Sequence, residues 1–161
     1  MDLCYRDLKD VDRAIAEAEE GRFQIWNLPN YVGGIPSYVL VGELAMCEVL
    51  YGQLPRPAFP DRLAELAPGV WRQQGSMTLH TAEVHATRSD LVATVANMGR
   101  AVIMEAQARL AERRTWALNE KGIIETAGLS DASAVLPATG SGVTELLTSV
   151  DALRHLLRVA S

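Results

Sequence analysis

Between Leu91 and Leu110 the apolar residues Leu91, Val95, Met98, Val102, Ala106 and Leu110 recur every three or four positions. A half-buried strand would alternate with period two, so this spacing commits the segment to an amphipathic helix. A helix with one apolar stripe is not stable by itself and must lay that stripe against a neighbour. What the rest of the chain offers as neighbours therefore decides the fold.

It offers mostly more helices. Asp7 is a natural cap for a helix that carries Leu8, Val11, Ile15 and Ala18 on one face, and Gly21 is its stop. Phe23, Ile25 and Trp26 suggest an extended apolar segment, ended by Pro29 and the Gly33-Gly34 pair. Pro36 is placed to open a second helix, and because Tyr38 to Leu50 are nearly all apolar, that helix is expected at the centre of the core. Pro55, Pro57 and Pro60 stiffen the next loop. A short helix is expected from Asp61 to Leu66, ending before Pro68, and a long one from Val70 to Thr87 with Trp71, Gly75, Thr78, Ala82, His85 and Ala86 on one side. Ser89 is in position to cap the helix with the 91–110 stripe. A short helix starting near Asn119 should stop at Gly128, with Leu129 as the apolar partner beyond it. Residues 130–142 are small and turn-forming and read as an internal linker before a last helix bearing Val143, Leu146, Leu147, Val150, Leu153, Leu157 and Ala160 on one face. The expected fold is all-α: an antiparallel bundle of four to five long helices with at most a short N-terminal strand, one domain over residues 1–161. Leu3-Cys4-Tyr5 would supply that strand, with 1–5 read as the remnant of a sheet belonging elsewhere.

Apolar residues make up 48% of the chain and charged residues 22%, the balance of a globular protein with one core. The net charge of −5 argues against a non-specific nucleic-acid surface. Arg109, Arg113 and Arg114 form a local basic group whose plainest reading is a solvated helix end. No signal peptide opens the chain and no apolar run approaches the roughly 20 residues that span a bilayer. A cytoplasmic protein is expected, without a membrane partner, and with Cys4 and Cys47 as buried thiols.

Glu43 is the first candidate for chemistry. A carboxylate within the most apolar helix must reach solvent in a groove or find a partner, and a desolvated one is suited to act as a general base. Gly42 beside it would permit a close helix contact. His80 and His85 are five residues apart, with Glu83 between, which is not the spacing of a zinc motif; no metal site is expected. Asn119, Glu120 and Lys121 form a dense polar cluster. Asn119 and Glu120 suit a helix start, but Lys121 in a first turn faces the wrong end of the dipole and points to an anionic ligand or partner. Phosphate-loop and nucleophile-elbow motifs are absent.

Several of these pieces occur in an order that resembles the C-terminal helical region of bacterial nucleotidyltransferase-domain proteins, the kanamycin nucleotidyltransferase group. They are Tyr5-Arg6-Asp7-Leu8, Ile35-Pro36-Ser37-Tyr38-Val39-Leu40-Val41-Gly42-Glu43-Leu44-Ala45, Leu54-Pro55-Arg56, Arg109-Leu110-Ala111, Trp116-Ala117-Leu118-Asn119-Glu120-Lys121 and Ala127-Gly128-Leu129. The resemblance implies a helical domain that binds the acceptor beside a sheet domain, which holds two metal ions and a nucleoside triphosphate on a Gly-Ser turn, an Asp-x-Asp pair and a third carboxylate. Asp2 would match the third carboxylate, and Glu43 a helical-domain base. Trp116, Asn119, Glu120, Lys121 and Tyr38 would line the acceptor site. The Gly-Ser turn and the Asp-x-Asp pair have no counterpart, so no cofactor is expected on this chain alone. Magnesium and a nucleoside triphosphate would enter only with a catalytic domain or partner.

Two further readings compete. One is a non-catalytic, antitoxin-like bundle that binds another protein. The other is a ribonuclease of the HEPN group, for which the Arg72 to His80 gap is too long. Leu3, Tyr5, Phe23, Ile25 and Trp26 exceed what one edge strand can bury. An exposed apolar surface is therefore expected there, covered by a catalytic partner or by a second copy in a homodimer or other oligomer. If an acceptor is bound, Glu43 and the 119–121 cluster should face one cavity.

Overall fold

The computed structural model describes residues 5–157. They are mostly helical, with seven helices and one two-stranded antiparallel sheet in the order α1 (Leu8–Glu19), β1 (Ile25–Trp26), β2 (Ile35–Pro36), α2 (Val39–Met46), α3 (Asp61–Ala86), α4 (Leu91–Glu112), α5 (Ile123–Thr126), α6 (Ser130–Val135) and α7 (Val143–Leu157). The strand expected at 1–5 falls largely outside the described residues, as does Asp2. No helix among the described residues is long and apolar enough to cross a membrane.

The frame is the hairpin of α3 and α4. The two run antiparallel: Gly75 sits against Met104, and Arg72, one turn earlier on α3, reaches Glu105 and Glu112 on α4. The expected break at Pro68 does not occur, and α3 is one helix of 26 residues with the proline inside it. An interior proline costs about 3 kcal/mol. Leu63, Ala67 and Trp71, all fully buried around it, offset that cost, because burial of each large side chain is worth about 1.5–3 kcal/mol. Among the described residues, only α3 and α4 exceed twenty residues. The four to five long helices expected become this pair with shorter helices on either side.

The central helix is α4, not the 38–50 segment. From Ala101 to Ala111 it buries nearly its whole circumference, because alanines at 101, 106, 108 and 111 let neighbours approach from every side. One core cluster lies on its C-terminal half and joins α1, α2 and the first half of α3 through Tyr38, Leu63, Trp71 and Met104. The other joins the second half of α3 to α5, α6 and α7 through Leu79, Met98, Val102, Leu129, Val150 and Leu153. Instead of running to Leu50, α2 spans only eight residues, and Leu50 and Tyr51 are almost fully exposed beyond it. Pro36 does not open that helix; it lies in β2, paired with Ile25.

Helix ends follow their chemistry, with two changes. Asp7 caps α1 by accepting the Lys9 N–H, and Gly21 closes it at φ 74°. Asp90, not Ser89, caps α4 by accepting the Ala93 N–H, while Ser89 takes the left-handed position that stops α3. Gly128 (φ 69°) closes α5, with the Leu129 N–H returning to the Ile124 carbonyl. That helix begins at Ile123, after Asn119 rather than on it, and α6 occupies part of the expected 130–142 linker.

Candidate functional site

Two of the expected site regions lie on either side of α2. On one side Glu43, half-exposed, lines an open cavity of about 430 Å³. Its walls are apolar: Leu8 and Val11 from α1, Leu40 and Leu44 from α2, and Leu54 from the proline-rich loop. Its polar groups are Glu43, Asp12 and Arg6. The Arg6 guanidinium meets the Glu43 carboxylate as a fork, Nε at 3.1 Å from Oε2 and Nη2 at 3.0 Å from Oε1. Glu43 is thus solvent-accessible and ion-paired, not desolvated as a general base in the core would be. Two carboxylates and one guanidinium leave the rim with one net negative charge. Cys47 also lines this cavity and is half-buried, with its thiol directed at the Leu44 carbonyl at 3.3 Å, against the expectation of a buried thiol.

On the other side Trp116, Asn119 and Lys121 line a smaller cavity of about 250 Å³ together with Met46 of α2. Trp116 is held by aromatic contacts with Phe59 (ring centroids 4.4 Å apart) and Tyr38 (6.3 Å). Gly42 makes this close approach possible: a Cβ there would lie 3.0 Å from Leu118 and 3.1 Å from the Trp116 ring. Asn119 accepts the backbone N–H of Lys121 at 2.8 Å, a side-chain turn rather than a helix cap. Glu43 and the Asn119–Lys121 cluster therefore line separate cavities, against the expectation that they would share one.

Two of the expected acceptor-site residues have other work. Tyr38 is 3% exposed, and its hydroxyl accepts the Trp71 indole N–H at 3.0 Å. Burial pushes its ionisation well above the ordinary tyrosine value. The Glu120 carboxylate accepts the backbone N–H groups of Val32 and Gly33, each at 2.7 Å, and so fastens the loop between β1 and β2 to the segment after α4.

The histidines do not converge. His80 is near Glu83 and His85 near Asp90. Among the described residues no three His, Cys, Asp or Glu side chains are grouped to hold a metal ion. The described residues thus group no ligand set of the kind that the resemblance implies for a sheet domain.

A third cavity, of about 560 Å³, was not foreseen. It is lined by Arg72, Glu105, Arg109, Glu112, Arg113 and Leu157. Glu105 is 4% exposed and is held by Arg72 (3.0 and 3.2 Å) and by Arg109 (3.0 Å). Arg72 also bridges to Glu112, whose pKa is lowered chiefly by that hydrogen bond, while the arginine's own is raised by it. The signal was present in the sequence: Glu105 interrupts the most buried stretch of α4, and Arg109 follows at i+4.

No protein-family model, no curated protein and no solved structure matches the chain.

Proposed function

We propose that this chain is the helical acceptor-binding part of a nucleotidyltransferase-type assembly, and that a small cationic acceptor binds beside Glu43. The observation that supports this best is the position of Glu43 at an open, apolar-walled cavity of about 430 Å³, with Asp12 on the same rim. Sites for small ligands are typically of this size and build, apolar surfaces carrying a few placed polar groups. An ammonium group entering there would compete with Arg6 for the Glu43 carboxylate. The ordered motifs from Tyr5 to Leu129 supply the family side of the argument. On this reading the antiparallel α3–α4 hairpin and the helices around it form a bundle that presents the cavity. Magnesium and the nucleoside triphosphate belong to a separate catalytic domain or partner. The test is calorimetric titration of the chain with kanamycin and related aminosugars, compared with Glu43→Gln.

A second reading, a non-catalytic bundle that binds another protein or a second copy of itself, is favoured by one observation. Tyr5, Leu8, Leu50 and Tyr51 are 73–98% exposed, and Leu8 and Leu54 belong to the same cavity wall. Apolar side chains so exposed commonly mark contact surfaces. Light scattering during size exclusion distinguishes the two: a stable dimer that excludes aminosugars supports the second reading.

A further inference from the structure

The cavity of about 560 Å³ between α3, α4 and the end of α7 lies apart from the Glu43 cavity and shares no lining residue with it. Its charges do not cancel. Among the described residues, Arg72, Arg109 and Arg113 line it with only Glu105 and Glu112 against them. Most of the carboxylate contacts belong to Arg72, which reaches Glu105 and Glu112. Arg109 spends one nitrogen on Glu105 and the other two on the carbonyls of Gly128 and Leu156. Arg113 makes no ion pair with a carboxylate among the described residues; it donates to the carbonyls of Thr126 and Ala127 at the end of α5. A guanidinium has five N–H donors, and the backbone carbonyls that hold it carry no formal charge, only the partial charge of a helix end. Arg109 and Arg113 therefore keep spare donors, held in place by the backbone at the ends of α5 and α7.

The two carboxylates differ in a way that matters. Glu105 is buried and fixed by two arginines, whereas Glu112 is 45% exposed at the mouth and has Arg72 as its partner. An entering anion can take the place of Glu112 on Arg72 while Glu105 goes on holding the arginines in register. Three guanidinium groups lining one space suit a tetrahedral oxyanion. The cavity is also far larger than a bare ion requires.

We propose that this cavity binds the phosphate group of a small organic phosphate, with Arg72, Arg109 and Arg113 as its donors and Glu112 as the group it displaces. The experiment is isothermal titration of the whole chain with inorganic phosphate and with phenyl phosphate, at ionic strength held constant with sodium chloride. Saturable one-site binding is expected for both, with phenyl phosphate at least as tight. Arg113→Gln should weaken it about tenfold, the worth of one charged hydrogen bond, and Glu112→Gln should strengthen it by removing the competitor. Circular dichroism checks that each variant is folded. If Arg113→Gln does not fold, Arg113→Lys, which keeps the charge and loses the fork, should still weaken binding. Absence of saturable binding in both the natural chain and Glu112→Gln overturns the proposal, as does binding that is indifferent to changes at 112 and 113.

Discussion

Glu120 and Gly33 are 87 residues apart in sequence, and the carboxylate of one accepts the backbone N–H of the other at 2.7 Å. The second carboxylate oxygen takes the N–H of Val32 at the same distance. Gly33 must be glycine for this to happen, since a Cβ there would lie 2.6 Å from Ile103. The pair ties the β1–β2 loop to the segment carrying Trp116, and so fixes the smaller cavity on that side of α2.

Replacing Glu120 with Gln turns one acceptor into a donor that faces an N–H. A loss of about 1–3 kcal/mol is expected, the range for a hydrogen bond to a charged group together with the unpaired donor it leaves. Chemical denaturation measures the loss. Hydrogen exchange should speed up at Val32 and Gly33 before it does in α4.

Tyr38 and Trp71 make the corresponding bond within the core. Tyr38→Phe strands the indole N–H of a fully buried tryptophan, at an expected cost of about 1–3 kcal/mol. Burial raises the Tyr38 ionisation, so the folded state loses stability as pH rises above the ordinary tyrosine value of 10.0. The Phe variant should be less stable at neutral pH yet lose less on going alkaline; parallel alkaline curves would contradict the assignment.

These two pairs also show what was legible in the sequence. The helices at 8–19 and 91–112 and the glycine stops at 21 and 128 follow from local chemistry, and they stand. Tyr38, Glu120 and Glu105 do not follow, because their partners Trp71, Gly33 and Arg72 are 33 to 87 residues away and only packing brings them together. Pro68 misled for the same reason: local propensity ends a helix there, and burial of Leu63 and Trp71 carries it through. Glu43 was visible as a carboxylate among apolar residues, but that it would meet Arg6 rather than the 119–121 cluster was not.

Breaking the Arg72–Glu105 pair leaves the buried Glu105 carboxylate with Arg109 as its remaining partner. Arg72→Met is expected to cost about 1–3 kcal/mol, the range for losing hydrogen bonds to a charged group while a second arginine keeps the carboxylate paired. Arg72→Met combined with Glu105→Leu should recover part of that loss, and a double-mutant cycle reads the coupling.

Glu112 governs a pH window. Its folded pKa lies below the ordinary glutamate value of 4.5, chiefly through the Arg72 hydrogen bond. Its contribution to stability is thus complete above that value and is lost as pH falls through the lowered one. Glu112→Gln should flatten the acid limb of stability against pH without moving the alkaline limb.

On the proposed reading, the chain by itself transfers no nucleotide. Incubation with magnesium, labelled nucleoside triphosphates and a panel of aminosugars should give no adduct. Reproducible transfer that disappears on changing Glu43 would contradict this.

The acceptor site itself is tested most directly by titrating kanamycin into the folded chain and into Glu43→Gln in parallel. Saturable binding to the natural chain is predicted, weakened about tenfold or more in the variant, as loss of a charged hydrogen bond requires, while the denaturation midpoints stay close. No binding to the natural chain, or equal affinity in both, would contradict an acceptor site at Glu43.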